Sequence, residues 1–211
     1  MANRSSKEKH MIVGIIGAAT VGTTLGEHFA KAGHKVLITN SRGPETLADK
    51  LAGMSQPLEP VTMKELADEA EIIILAMPWH KVKNVLLTDI RWDGRVVIDA
   101  MNIFGSYDPI QVDDLQGDSG SEIVARLAPS ARVVKAFNTL PFEKMFAPVP
   151  EGFRRVLFVA GDDQDAVSAV TTLIDQIGFR AVAIGELATA GRQMELGGVF
   201  STLELFAPES Q

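Results

Sequence analysis

A chain of 211 residues, 46% hydrophobic and 22% charged, with 18 glycines and 10 prolines, is long and apolar enough to bury one core, which excludes wholesale disorder. Its net charge of −7, with lysine and arginine scattered, excludes nucleic acid and an anionic membrane as the main partner. The lack of cysteine removes disulfides, thiolate metal sites and thiol catalysis.

Residues 1–10 are polar and read as a disordered tail. The apolar stretch behind them, 12–16, is too short for a signal core or a membrane span, so a cytoplasmic chain with no membrane partner is expected. From residue 11 to 211, β-branched runs alternate with segments of helical period. That alternation predicts an α/β fold: a Rossmann-type, doubly wound, mostly parallel sheet in a single domain.

Strands are expected at 11–16 and 35–39, with a helix over 20–32 between them that ends at Gly33. A helix at 44–52 and a short strand at 58–61 follow. Next come a helix at 63–70, the buried strand 71–76 (EIIILA), a helix at 80–87 and a strand at 95–98. The stretch 99–118, rich in Gly, Asp and Pro, reads as a loop. Ser119 and Glu122 then form a capping box ahead of Ile123, Val124 and Leu127. The chain continues with strands at 132–137 and 155–160, a helix at 163–177, a strand at 180–184 and an apolar C-terminal helix at 188–206. No internal repeat or inter-domain linker interrupts this order.

The first strand runs directly into Gly17, Ala18, Ala19, Thr20, Val21 and Gly22 and then into a helix. This is the G-x-G-x-x-G dinucleotide fingerprint with Ala19 at its second glycine. Gly17 permits the tight turn, a small residue at 19 lets the backbone approach a pyrophosphate, and Gly22 lets the helix pack closely on the sheet. The helix N-terminus offers free N–H groups and a positive dipole to the phosphates, with the Thr20 hydroxyl as a further donor. The alternative is a glycine turn used only for chain reversal.

Strand two ends in Thr39, Asn40, Ser41 and Arg42, with no carboxylate to bond an adenosine ribose 2′-hydroxyl. Ser41 and Arg42 instead offer a neutral donor and a cation to a 2′-phosphate, so NADP(H) is expected rather than NAD. The alternative is an ordinary polar loop with a solvated arginine.

With these residues read, the chain resembles the NADP-dependent oxidoreductase family typified by the NADP oxidoreductase of the deazaflavin coenzyme F420. It is also similar to the cytosolic reductase domain of membrane-bound metalloreductases. The resemblance rests on the turn at 17–22, on Asn40, Ser41 and Arg42, and on Met77, Pro78 and Trp79. It rests further on the segment 132–141 (RVVKAFNTLP), on Gly161, Asp162 and Asp163, and on Gly185, Glu186, Leu187 and Ala188 with Arg192. It implies a small C-terminal extension closing over the nicotinamide, and direct hydride transfer between NADPH and a flat flavin-like acceptor, often in a homodimer. The acceptors implied are coenzyme F420, FMN or FAD, or a ferric chelate. The chain departs from archaeal members, which have two consecutive basic residues where it has Arg42 and Gly43. It departs again at the strand end occupied by Asn138 and Thr139.

Ligands of open parallel sheets sit beyond the carboxyl ends of the strands. The cofactor would therefore also meet Ala76, Met77 and Pro78. Met77, Pro78, Asn102, Asn138, Thr139, Leu140 and Pro141 would line the nicotinamide and acceptor pocket. Hydride transfer between stacked rings demands position more than acid–base chemistry, so no catalytic residue is assigned. His80 and Lys135 are the candidate general acids. The scattered histidines lack metal-site spacing, and no metal is expected. The last helix carries enough apolar surface to serve as a homodimer face. Two other functions remain open: an imine or keto-acid reductase, and an NADP(H)-binding sensor module without turnover.

Overall fold

The computed structural model describes residues 10–88 and 90–209. The reading of residues 1–10 as a tail therefore lies, His10 aside, outside the described residues. The elements run β1 (Ile12–Ile16), α1 (Thr20–Lys31) and β2 (Lys35–Thr39). A 3-10 turn (Pro44–Leu47) then leads into α2 (Ala48–Ala52), β3 (Glu59–Pro60), α3 (Met63–Glu69) and β4 (Ile72–Leu75). A second 3-10 turn (Trp79–Lys81) leads into α4 (Val82–Leu86), followed by β5 (Val96–Asp99), β6 (Phe104–Tyr107), β7 (Ile110–Val112) and α5 (Gly120–Leu127). The chain closes with β8 (Arg132–Lys135), α6 (Phe142–Met145), β9 (Phe153–Gly161), α7 (Gln164–Gln176), β10 (Arg180–Gly185), a π turn (Leu187–Gly191) and β11 (Phe206–Pro208).

The main sheet has the order β10-β9-β8-β5-β4-β1-β2-β3, with β11 added alongside β9. Strands β3, β2, β1, β4, β5 and β8 are mutually parallel. β9 turns antiparallel to β8, β10 runs parallel to β9, and β11 is antiparallel to β9. The order reverses at β1 and β4, which puts a crevice beyond their carboxyl ends.

Side chains alternate across the sheet because a strand has a period of two. Val13, Ile15, Ile38, Ile74 and Ile98 pack with Leu25 and Phe29 of α1 and Val170 and Ile174 of α7. Ile16, Leu37, Ile73, Leu75 and Val97 pack on the other face with Leu66 of α3, Leu86 of α4 and Val124 of α5. Burial on both faces is why these strands read as unbroken apolar runs.

Two expectations fail. The segment 99–118 is not all loop: β6 and β7 form an antiparallel hairpin around Asp108 and Pro109. Its base is held by Trp79 Nε1 donating to Asp113 Oδ2 at 2.9 Å and by Asp113 N donating to Ile103 O at 2.9 Å. The short alternating runs on either side of the Asp-Pro pair carry strand character that the polar composition hides.

The C-terminal helix expected at 188–206 forms only at its start, where helical turns run through 187–193. After the π turn the chain proceeds through turns to β11. Gly197 sits at φ +89°, and a Cβ on Gly198 would lie 2.3 Å from the Gln193 carbonyl, so these glycines break the helical path. The apolar residues of this run serve a different surface. Met194 and Phe200 pack on Val156, Phe158 and Ala160 of β9 as a small third core.

Candidate functional site

The turn between β1 and α1 is built from bare backbone. Gly17 has φ +123°, and a Cβ there would lie 2.2 Å from the Ala76 carbonyl at the end of β4. A Cβ on Gly22 would lie 1.8 Å from the Gly17 carbonyl and 3.1 Å from Ile15 Cγ2. Gly22 is thus required mainly by the turn's own carbonyl, and secondarily by helix–sheet packing. Gly17 N donates to Thr39 O at 3.0 Å and Ala76 N to Ile16 O at 2.9 Å, so the ends of β1, β2 and β4 converge on the turn.

No side chain caps the N-terminus of α1. Its N-cap is Ala19, and no acidic residue occupies the first turn. The other helices of seven residues or more, α3, α5 and α7, are capped: Thr62 and Ser119 form capping boxes, and Asp163 accepts from Ala166 N. An uncapped N-terminus has backbone donors free for an anion. Ala19 and Thr20 are exposed, and Ala18 and Val21 are partly so. This cradle fits a dinucleotide pyrophosphate.

At the end of β2, Ser41 and Arg42 are exposed. Asn40 shapes the loop: its Oδ1 accepts from Arg42 N at 2.8 Å and its Nδ2 donates to Thr46 Oγ1 at 3.0 Å. The side-chain amide is thereby engaged in forming the turn, while the cation beside it stays open to solvent.

The remaining strand ends divide into two layers. Met77, Pro78 and Asn102 are half-buried and Pro141 is exposed, whereas Ala76, Asn138, Thr139 and Leu140 are buried. Asn138 Nδ2 donates to Asn102 Oδ1 at 3.2 Å and to Met194 O at 2.9 Å, and Asn102 Nδ2 donates to Asn138 O at 3.2 Å. Thr202 N donates to Thr139 O at 2.7 Å. The structure therefore brings Asn102 and Asn138 together and lays the C-terminal segment over the end of β8.

Lys135 does not reach the rim. It is fully buried, with Nζ 3.1 Å from Asp99 Oδ2, 3.4 Å from Met101 O and 3.8 Å from Glu195 Oε1. Ser121 Oγ donates to Asp99 Oδ2 at 2.6 Å, and Gly120 N donates to Glu195 Oε1 at 2.6 Å. Burial pushes the Glu195 carboxyl above its usual range, against the pull of the Lys135 ammonium and the Gly120 amide. Sequence reasoning missed this cluster. Its one signal was a charged residue closing each of two apolar runs, VVI and VV, and the β5–β8 register sets Asp99 beside Lys135.

His80 is exposed on the second 3-10 turn. Among the described residues, no group of three or more His, Asp or Glu side chains is placed to hold a metal ion. No helix among them is long and apolar enough to cross a membrane.

Residues 12–103 match the family model described as NADP oxidoreductase coenzyme F420-dependent. The hypothetical protein SMa0349 of Sinorhizobium meliloti is 35% identical, and its structure superposes with a TM-score of 0.85 over 93% of this chain and 96% of that one. A candidate F420-dependent NADP-reductase from Arthrobacter sp. FB24 is similar in fold, with a TM-score of 0.72 at 24% identity over 87% of this chain and 90% of that one. The metalloreductase STEAP3 of Rattus norvegicus is 29% identical over 185 residues, 87% of this chain and 35% of that protein. The chain thus spans about a third of that curated relative's length.

Two outcomes follow from the geometry. Lys135→Met strands Asp99 in the interior without its counter-charge, and should cost about 3–5 kcal/mol in denaturant unfolding. Because burial raises the Glu195 carboxyl, the folded chain binds more proton there than the unfolded chain in the window between the ordinary carboxylate range and the raised value, so its contribution to stability falls as pH rises through that window. Glu195→Gln should lack that part of the slope when unfolding free energies of the two proteins are compared across acid and neutral pH.

Proposed function

The chain belongs to the NADP oxidoreductase, coenzyme F420-dependent, family, and on that premise we propose that it binds NADP(H) at the β1–α1 turn and passes hydride between the nicotinamide and a flat, flavin-like acceptor. The observation that carries this reading is the uncapped, glycine-bared turn facing a strand end, residues 39–42, that holds Ser41 and Arg42 and no carboxylate; the Glu45 carboxylate lies beyond it, against Gly43. A carboxylate at the end of β2 would repel a 2′-phosphate; an exposed guanidinium attracts one.

When bound, the cofactor supplies the reactive C–H bond, and the protein supplies position and exclusion of water. In this reading Gly17, Ala18, Ala19, Thr20, Val21 and Gly22 present the pyrophosphate cradle. Ser41 and Arg42 hold the 2′-phosphate, with Asn40 fixing the loop beneath them. Met77, Pro78, Asn102 and Pro141 form the walls of the nicotinamide and acceptor pocket, and Ala76, Asn138, Thr139 and Leu140 form its floor.

A flat redox acceptor suits this arrangement because hydride transfer to such a ring requires no protein acid. Lys135, one of the two candidate acids, is committed to Asp99 and Glu195 and has no path to a substrate. Coenzyme F420, FMN and FAD are the hydride acceptors of this class; a ferric chelate takes one electron at a time and would be reduced only through such a ring. Exposed Leu196, Val199, Leu203, Leu205 and Phe206 give the C-terminal segment the apolar surface that a homodimer would cover.

Oxidation of NADPH followed spectroscopically with F420, FMN, FAD, riboflavin and ferric chelates, beside NADH controls, should show turnover with at least one flat acceptor. Activity confined to imines or keto acids, or binding without any turnover, would overturn the reading. Arg42→Ala should weaken NADPH binding by about tenfold or more and leave NADH within about twofold. Equal losses for both nucleotides would remove the 2′-phosphate assignment.

A further inference from the structure

The phosphate turn is touched from outside by a residue that the fingerprint does not contain. Lys50, on α2, reaches across 32 residues of sequence to donate from Nζ to the Ala18 carbonyl at 2.5 Å. Its placement follows from how the chain leaves β2. The 3-10 turn Pro44–Leu47 passes directly into α2, and buried Leu47 with half-buried Leu51 anchors this short helix to the core. Thr46 and Lys50 lie four residues apart and so share a face. Thr46 Oγ1 accepts from Asn40 Nδ2 at 3.0 Å and donates to Gly43 O at 2.8 Å, which turns that face toward the end of β2. The same face carries Lys50 to the turn after β1. The ammonium therefore stands at the turn after β1, on the element that follows the Arg42 loop.

Its charge is uncompensated there. Lys35, Lys64, Lys135 and Lys144 each pair with a carboxylate, whereas Lys50, like Lys31, Lys81 and Lys83, has none within ion-pair distance among the described residues, and of these four Lys50 is the one bonded to the phosphate turn. Glu27 on α1 is engaged elsewhere, accepting from both Ser55 N and Ser55 Oγ at 2.8 Å. An ammonium has three donors, and the Ala18 carbonyl uses one.

We infer that Lys50 is a phosphate-binding cation of the dinucleotide site, donating to a phosphate oxygen of bound NADP(H) while its bond to Ala18 holds it in place. This rests on the proposed NADP(H) site and adds a residue to it. The position after Arg42 is Gly43, which carries no charge, so the second cation comes from α2 instead of from the loop. Because Lys50 is exposed, its contribution weakens with salt.

The test is fluorescence titration of the full chain with NADPH and with NADH, at low and high salt, for wild type, Lys50→Met and Lys50→Arg. Lys50→Met should weaken NADPH by about tenfold at low salt and by less at high salt, with Lys50→Arg within about threefold of wild type. A loss confined to NADPH places the contact on the 2′-phosphate; an equal loss for NADH places it on the pyrophosphate. Both support the inference. The unliganded melting temperature of Lys50→Met should stay within about 2 °C of wild type, since the side chain is at the surface. Wild-type affinity for both nucleotides in Lys50→Met overturns the inference and leaves the cofactor reading standing. If wild type itself binds neither nucleotide, the cofactor reading falls and this inference with it.

Discussion

Backbone carbonyls crowd the point where β1 hands over to α1, and the rest of the molecule is arranged around that crowding. The Ala76 carbonyl fills the space beside Gly17, and the Gly17 carbonyl fills the space beside Gly22. No side chain fits at either place. What remains is an open helix end, uncapped and free of acidic neighbours in its first turn. The sheet order makes this possible, because only where the chain departs from β1 in both directions does a crevice open beyond the strands. The open helix end at the head of the crevice follows from this local crowding and the sheet order together.

The half of the site that would hold the reacting rings depends on a different kind of interaction. Lys135, Asp99, Glu195 and Ser121 form a polar cluster inside the sheet–helix layer, and it links β5, β8, α5 and the C-terminal segment. Glu195 follows Met194, whose carbonyl takes the Asn138 amide. The ion pairs thus fix the segment that covers the end of β8. Such a cluster is a poor source of net stability, since desolvation offsets most of its attraction, but it tolerates few alternative arrangements. A second anchor lies farther along: Arg155, nearly buried, bonds the carbonyls of Met145 and Ala147 and pairs with Glu204. Both ends of the covering segment are held by charge, and Phe200 between them packs on Phe158 of β9.

An acidic chain that binds a polyanion must keep its cations local. With a net charge of −7 the long-range field repels phosphates, and attraction has to come from donors within a few ångströms. In the proposed site the uncapped helix end, Arg42 and Lys50 would supply such donors. Elsewhere much of the cationic charge is neutralised in surface pairs such as Lys35 with Glu59 and Glu69.

The sequence by itself determined what depends on neighbours along the chain. Strands buried on both faces announced themselves as apolar β-branched runs, the capping box at Ser119 announced α5, and the glycines at 17 and 22 announced the turn between them. These are local steric and hydrogen-bonding demands, and each leaves its mark within a few residues. Only the tertiary structure decided what depends on register and on which elements meet. The same spacing of apolar residues that suggests a helix over 188–206 is satisfied by packing on β9, because glycine at 197 and 198 makes the helical path costly and the open side of β9 accepts a strand. Lys135 faces Asp99 because β5 and β8 align in parallel, and Lys50 meets Ala18 because α2 folds back across the end of β2. Long-range electrostatic partners carry no local signature, since a charged residue looks the same in sequence whether it ends in water or in the core.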